Sequence, residues 1–233
     1  MKLIIFDLDQ TLVDFISVHN EATQKLFKKV FNIEAKLAEI DFTGKSLNDN
    51  FRELARFKNI PEDIFRKKSQ QLLEIYETIF GDSLPPNAVE NILPGAEELL
   101  NELSKTDHII SLYTGNSRRI VSSVFKTTNL GKYFKFCQYG TEVETRVDMV
   151  RLAVKKAEKL TEQKFRDKDV VIIGDSTRDI ECGKLFNALT IAVATGFHSK
   201  AQLSAAGPDY LFADLKDYRK VLRAVEQTLN PAG

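Results

Sequence analysis

Residues 2–14 read Lys2-Leu3-Ile4-Ile5-Phe6-Asp7-Leu8-Asp9-Gln10-Thr11-Leu12-Val13-Asp14, an apolar run that ends on two carboxylates. A short continuous apolar run such as Leu3 to Phe6 reads as a parallel strand buried on both faces. Carboxylates at Asp7 and Asp9 are expensive to desolvate and add nothing to a core. In open parallel sheets, ligands lie in the crevice beyond the carboxyl ends of the strands. Acids at that place therefore point to chemistry rather than packing. The arrangement recurs twice downstream: His108 to Tyr113 runs into Thr114-Gly115-Asn116-Ser117, and Val170 to Ile173 runs into Gly174-Asp175-Ser176, with Asp179 four residues after Asp175. One strand ending in Asp is an ordinary helix N-cap. Three buried strands ending in carboxylates or hydroxyls are a site.

The elements around these strands define the fold class. From residue 94 onward, helical and strand patterns alternate: helix from Pro94 to Leu103, strand to Tyr113, helix from Arg118 to Thr127, strand from Phe134 to Tyr139, helix from Arg146 to Leu160. Strand Val170 to Ile173 follows, then helix Arg178 to Phe186, short strands Leu189 to Val193 and Tyr210 to Phe212, and a closing helix from Asp217 to Leu229. Such alternation implies βαβ crossovers and an α/β fold, a Rossmann-like doubly wound parallel sheet with helices on both faces. Between Asp14 and Leu93 the alternation stops. Phe15 to Phe31, Leu47 to Phe57 and Pro61 to Phe80 read as amphipathic helices, and Ser83-Leu84-Pro85-Pro86-Asn87 has linker character. The expected division is a core of residues 1–14 and 85–233 and an all-helical insertion of residues 15–84, placed to act as a lid over the strand ends.

At 233 residues the chain can bury a sizeable core, and its 43% hydrophobic and 28% charged content is that of an ordinary globular protein. Lys plus Arg and Asp plus Glu both number 33, so no net charge draws it to nucleic acid or an anionic membrane. Cys137 and Cys182 lack metal-ligand spacing and read as small core residues of a reducing compartment. The N-terminus enters a strand directly, without the basic and apolar regions of a signal peptide, and no apolar run approaches the ~18 residues of a membrane span. The expectation is a cytoplasmic protein without nucleic-acid or membrane partners; monomer and homodimer are not distinguished.

The segments DLDQTLVD (7–14), LYTGN (112–116) and GDSTRD (174–179), in this order on such a core, resemble the haloacid dehalogenase-like hydrolase superfamily. LPGAEELLNEL (93–103) and IAVATGFHS (191–199) are similar to its phosphoglycolate phosphatase-like branch, which carries a small helical (C1-type) cap. The resemblance implies a Mg²⁺-dependent phosphatase acting on a small phosphorylated metabolite, with Asp7 as nucleophile forming an aspartyl-phosphate and Asp9 as general acid/base. Splitting one displacement into two lowers each barrier, and phosphoryl transfer needs mainly positioning and charge stabilisation. An acid at Asp9 points to phosphate esters rather than to dehalogenation. Thr114, with the backbone N–H groups of Gly115 and Asn116, would bind the phosphoryl group. Asp175 would ligate Mg²⁺ with Asp7 and the main-chain oxygen of Asp9, and Asp179 would act behind them through water or by orienting a nearby cation.

Two positions depart from the family pattern. Where a Lys is usual, the segment reads YGTEVETRVDMV, and Arg146 takes its place; Lys155 and Lys156 serve only if the alignment slips. Gln10 stands where Gly is usual, which either narrows the backbone geometry or sets an amide at the edge of the site. In the insertion, His19 reads either as a packed core residue or as a group near the leaving oxygen. Lys45, in Phe42-Thr43-Gly44-Lys45-Ser46, reads either as a solvated surface lysine or as a contact for a second anionic group of the substrate. A phosphoglycolate-like ester, a sugar phosphate and a nucleotide all suit a small lid. A phosphomutase of the β-phosphoglucomutase type, a pyrophosphatase or nucleotidase, and a non-catalytic binding module on the same scaffold are the alternatives.

Overall fold

A computed structural model describes residues 1–227. Six strands form one all-parallel sheet: β1 (Leu3–Phe6), β2 (Ile109–Thr114), β3 (Phe136–Tyr139), β4 (Val170–Gly174), β5 (Leu189–Val193) and β6 (Tyr210–Phe212), in spatial order β3-β2-β1-β4-β5-β6. β1 is flanked by β2 on one side and β4 on the other, with Phe6 level with Leu112 and Ile173. Strand order reverses at β1, so the crevice for a ligand opens above it. The strands alternate between two buried faces. Ile4, Phe6, Ile110, Leu112, Val171 and Ile173 pack into one layer with helices α4 (Ala96–Leu103), α5 (Arg118–Thr128) and α9 (Tyr218–Glu226). Leu3, Ile5, Ile109, Tyr113, Val170 and Ile172 pack into the other against Met149, Val150 and Ala153 of α6 (Arg146–Thr161) and Cys182 of α7 (Thr177–Leu185). The fold class expected from the sequence is the one observed.

Local chemistry sets the helix ends beside the strand tips. The side chains of Ser117, Thr145 and Ser176 accept hydrogen bonds from the backbone N–H groups of Ile120, Asp148 and Asp179 and start α5, α6 and α7, each offsetting about 1 kcal/mol of unpaired backbone. Asn129 and Glu162 end α5 and α6 in the left-handed conformation. A short helix, α8 (Lys200–Ala205), lies where the sequence shows no periodicity, started by a reciprocal Ser199–Gln202 cap. The expected continuation of α9 to Leu229 lies outside the described residues.

Between β1 and β2 the chain forms α1 (Ile16–Phe31), α2 (Leu47–Phe57) and α3 (Glu62–Ser83), with α1 and α2 both packed on α3. α3 runs past Gly81 and stops where Leu84 precedes Pro85 and adopts an extended conformation, because a residue before proline is driven out of the helical region. The outgoing and returning segments lie side by side: Asp14 N–H donates to Asn91 O at 2.8 Å and Leu93 N–H to Leu12 O at 2.9 Å. Phe15, Phe27, Phe51, Tyr76 and Phe80 are buried among these helices and belong to the same apolar cluster as Ile4 and Phe6.

Candidate active site

The strand ends bring together three acids distant in sequence. Asp7 follows β1 and is tied to the sheet by its N–H, which donates to Ile173 O at 2.9 Å. Asp175 follows β4, and Asp179 lies in the first turn of α7. All three are buried, and each presents a carboxylate oxygen within 4.8 Å of the others. Arg146, the first residue of α6, reaches into this cluster from the β3 side. Its Nη2 lies 2.8 Å from Asp7 Oδ1 and 2.5 Å from Asp179 Oδ1, and its guanidinium stands 4.2 Å from the centre of the Tyr113 ring. Lys155 and Lys156 lie further along α6; Lys156 Nζ donates to Gln138 Oε1.

Burial and mutual repulsion dominate the electrostatics. Burial pushes the Asp7 carboxyl up to about 7, against the pull of Arg146 and with the help of Asp179 and Asp9. Burial likewise drives Asp175 well above the carboxylate range, reinforced by the charges of Asp7 and Asp179. For Asp179 the balance goes the other way: the Arg146 guanidinium and hydrogen bonds from Ser176 and Tyr113 more than offset burial and hold it below the usual value. Tyr113 donates its hydroxyl to Asp179 Oδ1, and Ser176 gives both its N–H and its hydroxyl to Oδ2. Asp179 is thus occupied in fixing Arg146. Asp7 and Asp175 are the under-compensated pair, an all-oxygen donor set that suits a hard divalent cation. Thr11 donates to Asp175 at 3.3 Å, and a Cβ at Gly196 would fall 1.7 Å from Asp175 Oδ2, so the loop after β5 closes that flank.

Asp9 lies outside the carboxylate triad. Asn116 Nδ2 donates to its Oδ2 at 2.6 Å, and His19 Nε2 lies 3.2 Å from its Oδ1. The other imidazole nitrogen, Nδ1, is 2.6 Å from the hydroxyl of Tyr76 on α3. The ring thus bridges the Asp9 carboxyl and the Tyr76 hydroxyl, which can donate or accept, so the tautomer of His19 and the proton on Asp9 are linked. His19 is both buried and in contact with Asp9. Thr114 ends β2, its Oγ1 accepting from Asn116 N–H at 3.2 Å. Gln10 adopts a left-handed backbone with φ 59°, and its amide donates to Asp14 Oδ1 at 2.7 Å. The amide therefore braces the segment leading into α1 from the edge of the site.

The loop from Asp41 to Leu47 lies over the strand ends. Leu47 N–H donates to Gly115 O at 3.1 Å, and Arg146 Nη1 donates to Gly44 O at 3.3 Å. Arg178 reaches up from α7 to pair with Asp41 at 2.8 Å and to donate to Thr43 O. At position 115 only Gly fits, since a Cβ would fall 2.1 Å from Lys45 O. Beneath this loop is a pocket of about 90 Å³, whose lining includes Asp7, Asp9, Gln10, Thr114, Arg146 and Asp175. Lys45 lines it too, but its ammonium pairs with Glu53 and lies 4.0 Å from Asp41. Sequence reasoning missed Tyr113, Tyr76 and Arg178: the first two look like core aromatics, and the third like a surface charge.

A family model described as haloacid dehalogenase-like hydrolase matches residues 4–193. Among curated proteins, the phosphoglycolate phosphatase of Synechococcus elongatus is 25% identical over 98% of this chain and 99% of its own length. The pyrophosphatase PpaX of Bacillus mycoides is 24% identical over 97% and 98%. Of solved structures, the β-phosphoglucomutase of Clostridium difficile superimposes with a TM-score of 0.80 at 16% identity over 97% of both chains. A hydrolase of Pseudomonas syringae does so with a TM-score of 0.76 at 20% identity, over 97% of this chain and all of that one.

Proposed function

From the premise that this chain belongs to the haloacid dehalogenase-like hydrolases, we propose that it is a Mg²⁺-dependent phosphatase that hydrolyses a small phosphomonoester through an aspartyl-phosphate on Asp7. The convergence of Asp7, Asp175 and Arg146 at the reversal point of the sheet carries this reading. Asp7 attacks phosphorus, and the bond from phosphorus to the leaving oxygen breaks as Asp9 gives that oxygen its proton. Water then yields a proton to Asp9 and attacks the same phosphorus. The bond to Asp7 breaks, inorganic phosphate departs, and both acids are restored. Thr114 and the N–H groups of Gly115 and Asn116 hold the phosphoryl oxygens.

Arg146 faces the developing negative charge, and its Nε is buried without a partner among the described residues, a donor left over for a phosphate oxygen. Asp7 and Asp175, with the main-chain oxygen of Asp9, would hold the divalent cation, which supplies further charge neutralisation. Asp179 serves by keeping Arg146 in place. His19 and Asn116 orient Asp9, so general acid and lid are linked. Residues 15–84 act as the cap that excludes water from the reacting groups, on a core of residues 1–14 and 85–233.

The test is phosphate release from an aryl phosphate with Mg²⁺, with chelator, and with Asp7→Asn. Turnover that requires the metal and is lost in the variant is the expected result. No release from any monoester, or undiminished release by Asp7→Asn, would overturn the proposal. Transfer between two hydroxyls of a sugar phosphate without release would assign a mutase instead.

A further inference from the structure

Part of the pocket lining has a different chemistry from the carboxylates: Ile16, Leu37, Phe42, Leu47 and Phe197 are apolar, with Phe42 and Phe197 meeting edge to face at 4.9 Å. Asn50, which also lines the pocket, keeps its Oδ1 buried without a hydrogen-bond partner among the described residues, an acceptor that suits a neutral donor and repels an anion. Asn50 Nδ2 donates to Phe42 O at 3.3 Å, and Tyr76 is occupied by His19. Lys45 is neutralised by Glu53, with Asp41 at 4.0 Å as a second acid. Arg178 is likewise paired with Asp41, and Arg146 lies between Asp7 and Asp179.

A carboxylate or second phosphate entering here would lose its hydration and find no uncommitted positive charge among the described residues. Such desolvation costs several kcal/mol per ion unless it is paired. An uncharged carbon chain would instead gain about 0.8 kcal/mol for each methylene buried.

Resting on the phosphomonoester reading above, we infer that the alcohol half of the substrate is an uncharged group packed on this apolar lining, and that the site discriminates against phosphorylated acids and diphosphates. The discriminating device is the Lys45–Glu53 pair. Glu53 cancels the ammonium that would otherwise greet a second anion. This substrate class differs from those in the names of the two curated relatives.

The experiment compares kcat/KM for n-propyl phosphate, phosphoglycolate and pyrophosphate in the wild type and in Glu53→Gln, all with Mg²⁺. The wild type should favour propyl phosphate over both anionic substrates by at least about tenfold. Glu53→Gln frees the ammonium for one charge-assisted hydrogen bond, so the ratio to phosphoglycolate should narrow by about tenfold, with the change carried in KM. A wild type that turns over phosphoglycolate or pyrophosphate as well as propyl phosphate would overturn the inference and leave the phosphatase standing. So would a ratio unmoved by Glu53→Gln. Failure to release phosphate from any of the three would bring down both.

Discussion

Replacing Arg146 by Met keeps much of the side-chain volume and removes one charge from the centre of the site. In the native protein that guanidinium lies 2.8 Å from Asp7 and 2.5 Å from Asp179, its side chain only 10% exposed. Its loss leaves Asp7, Asp175 and Asp179 buried together without a cation. Breaking a buried pair by removing one partner costs about 3–5 kcal/mol, and for a chain of this size each kcal/mol lowers Tm by about 2–4 °C. The expected drop is therefore about 6–20 °C at pH 7 in chelator. Asp7, pushed up to about 7, already escapes part of the penalty by taking a proton; Asp179, held below the usual range by the guanidinium, bears most of it.

The sign with pH follows from Asp179. A depressed carboxyl stabilises the fold above its unfolded value and loses that contribution as pH falls. Wild type keeps that contribution at both pH 7 and pH 5, which lie above the unfolded value of 3.8. In Arg146→Met burial of Asp179 is no longer offset by the guanidinium and raises its carboxyl. Protonation therefore relieves the variant as pH falls, and the gap should shrink between pH 7 and pH 5. Thermal unfolding of both proteins at the two pH values measures this, and Arg146→Met/Asp179→Asn should recover part of the loss. A Tm within 2 °C (roughly 1 kcal/mol) of wild type at pH 7, or a gap that does not narrow at pH 5, would refute the charge balance described here.

Other outcomes follow from the same geometry. Because the folded Asp7 carboxyl is raised, the metal-free protein should lose stability as pH climbs from about 4 toward 7, and Mg²⁺ should raise Tm at pH 7 more than at pH 5; calorimetry checks both, and Asp175→Asn should abolish the Mg²⁺ effect. Asp7→Asn should be inactive yet melt higher than wild type in chelator at pH 7, since it removes a buried charge kept for chemistry. Arg178→Ala releases Asp41 and Thr43 from α7; the loop from Asp41 to Leu47 should exchange its amide hydrogens faster, and KM should rise about three- to tenfold, the loss of roughly one hydrogen bond. Tyr76→Phe removes the hydroxyl that holds His19 through Nδ1, so kcat should fall and its pH profile shift with little change in KM.

The sheet was legible because its strands are continuous apolar runs separated by helical patterns, and βαβ crossovers make such strands parallel. Asp7 and Asp175 stood out because a carboxylate just past a buried strand has no packing role. Arg146 was legible through its place in a motif, not from its neighbours: nothing in Thr145-Arg146-Val147 says that its guanidinium turns inward. The Tyr76–His19–Asp9 chain joins α3 to α1 across 57 residues, a contact that side-chain periodicity on either helix cannot show. Tyr113 was hidden for a related reason. An aromatic residue in a buried strand reads as core, and only the capping box of α7 brings Asp179 beneath its hydroxyl. Gln10 illustrates a local rule overridden: a left-handed residue without glycine, at a cost of about 1–2 kcal/mol, held where its amide meets Asp14.

The most direct measurement is a rapid quench of turnover with a ³²P-labelled nitrophenyl phosphate, whose leaving group needs no proton from Asp9, in wild type and in Asp9→Asn, followed by mapping of the labelled peptide. Acid-stable, hydroxylamine-labile label on the peptide containing Asp7, accumulating further when Asp9 can no longer activate water, is the expected result. Turnover without covalent label, or label on any residue other than Asp7, would contradict an aspartyl-phosphate at the end of the first strand.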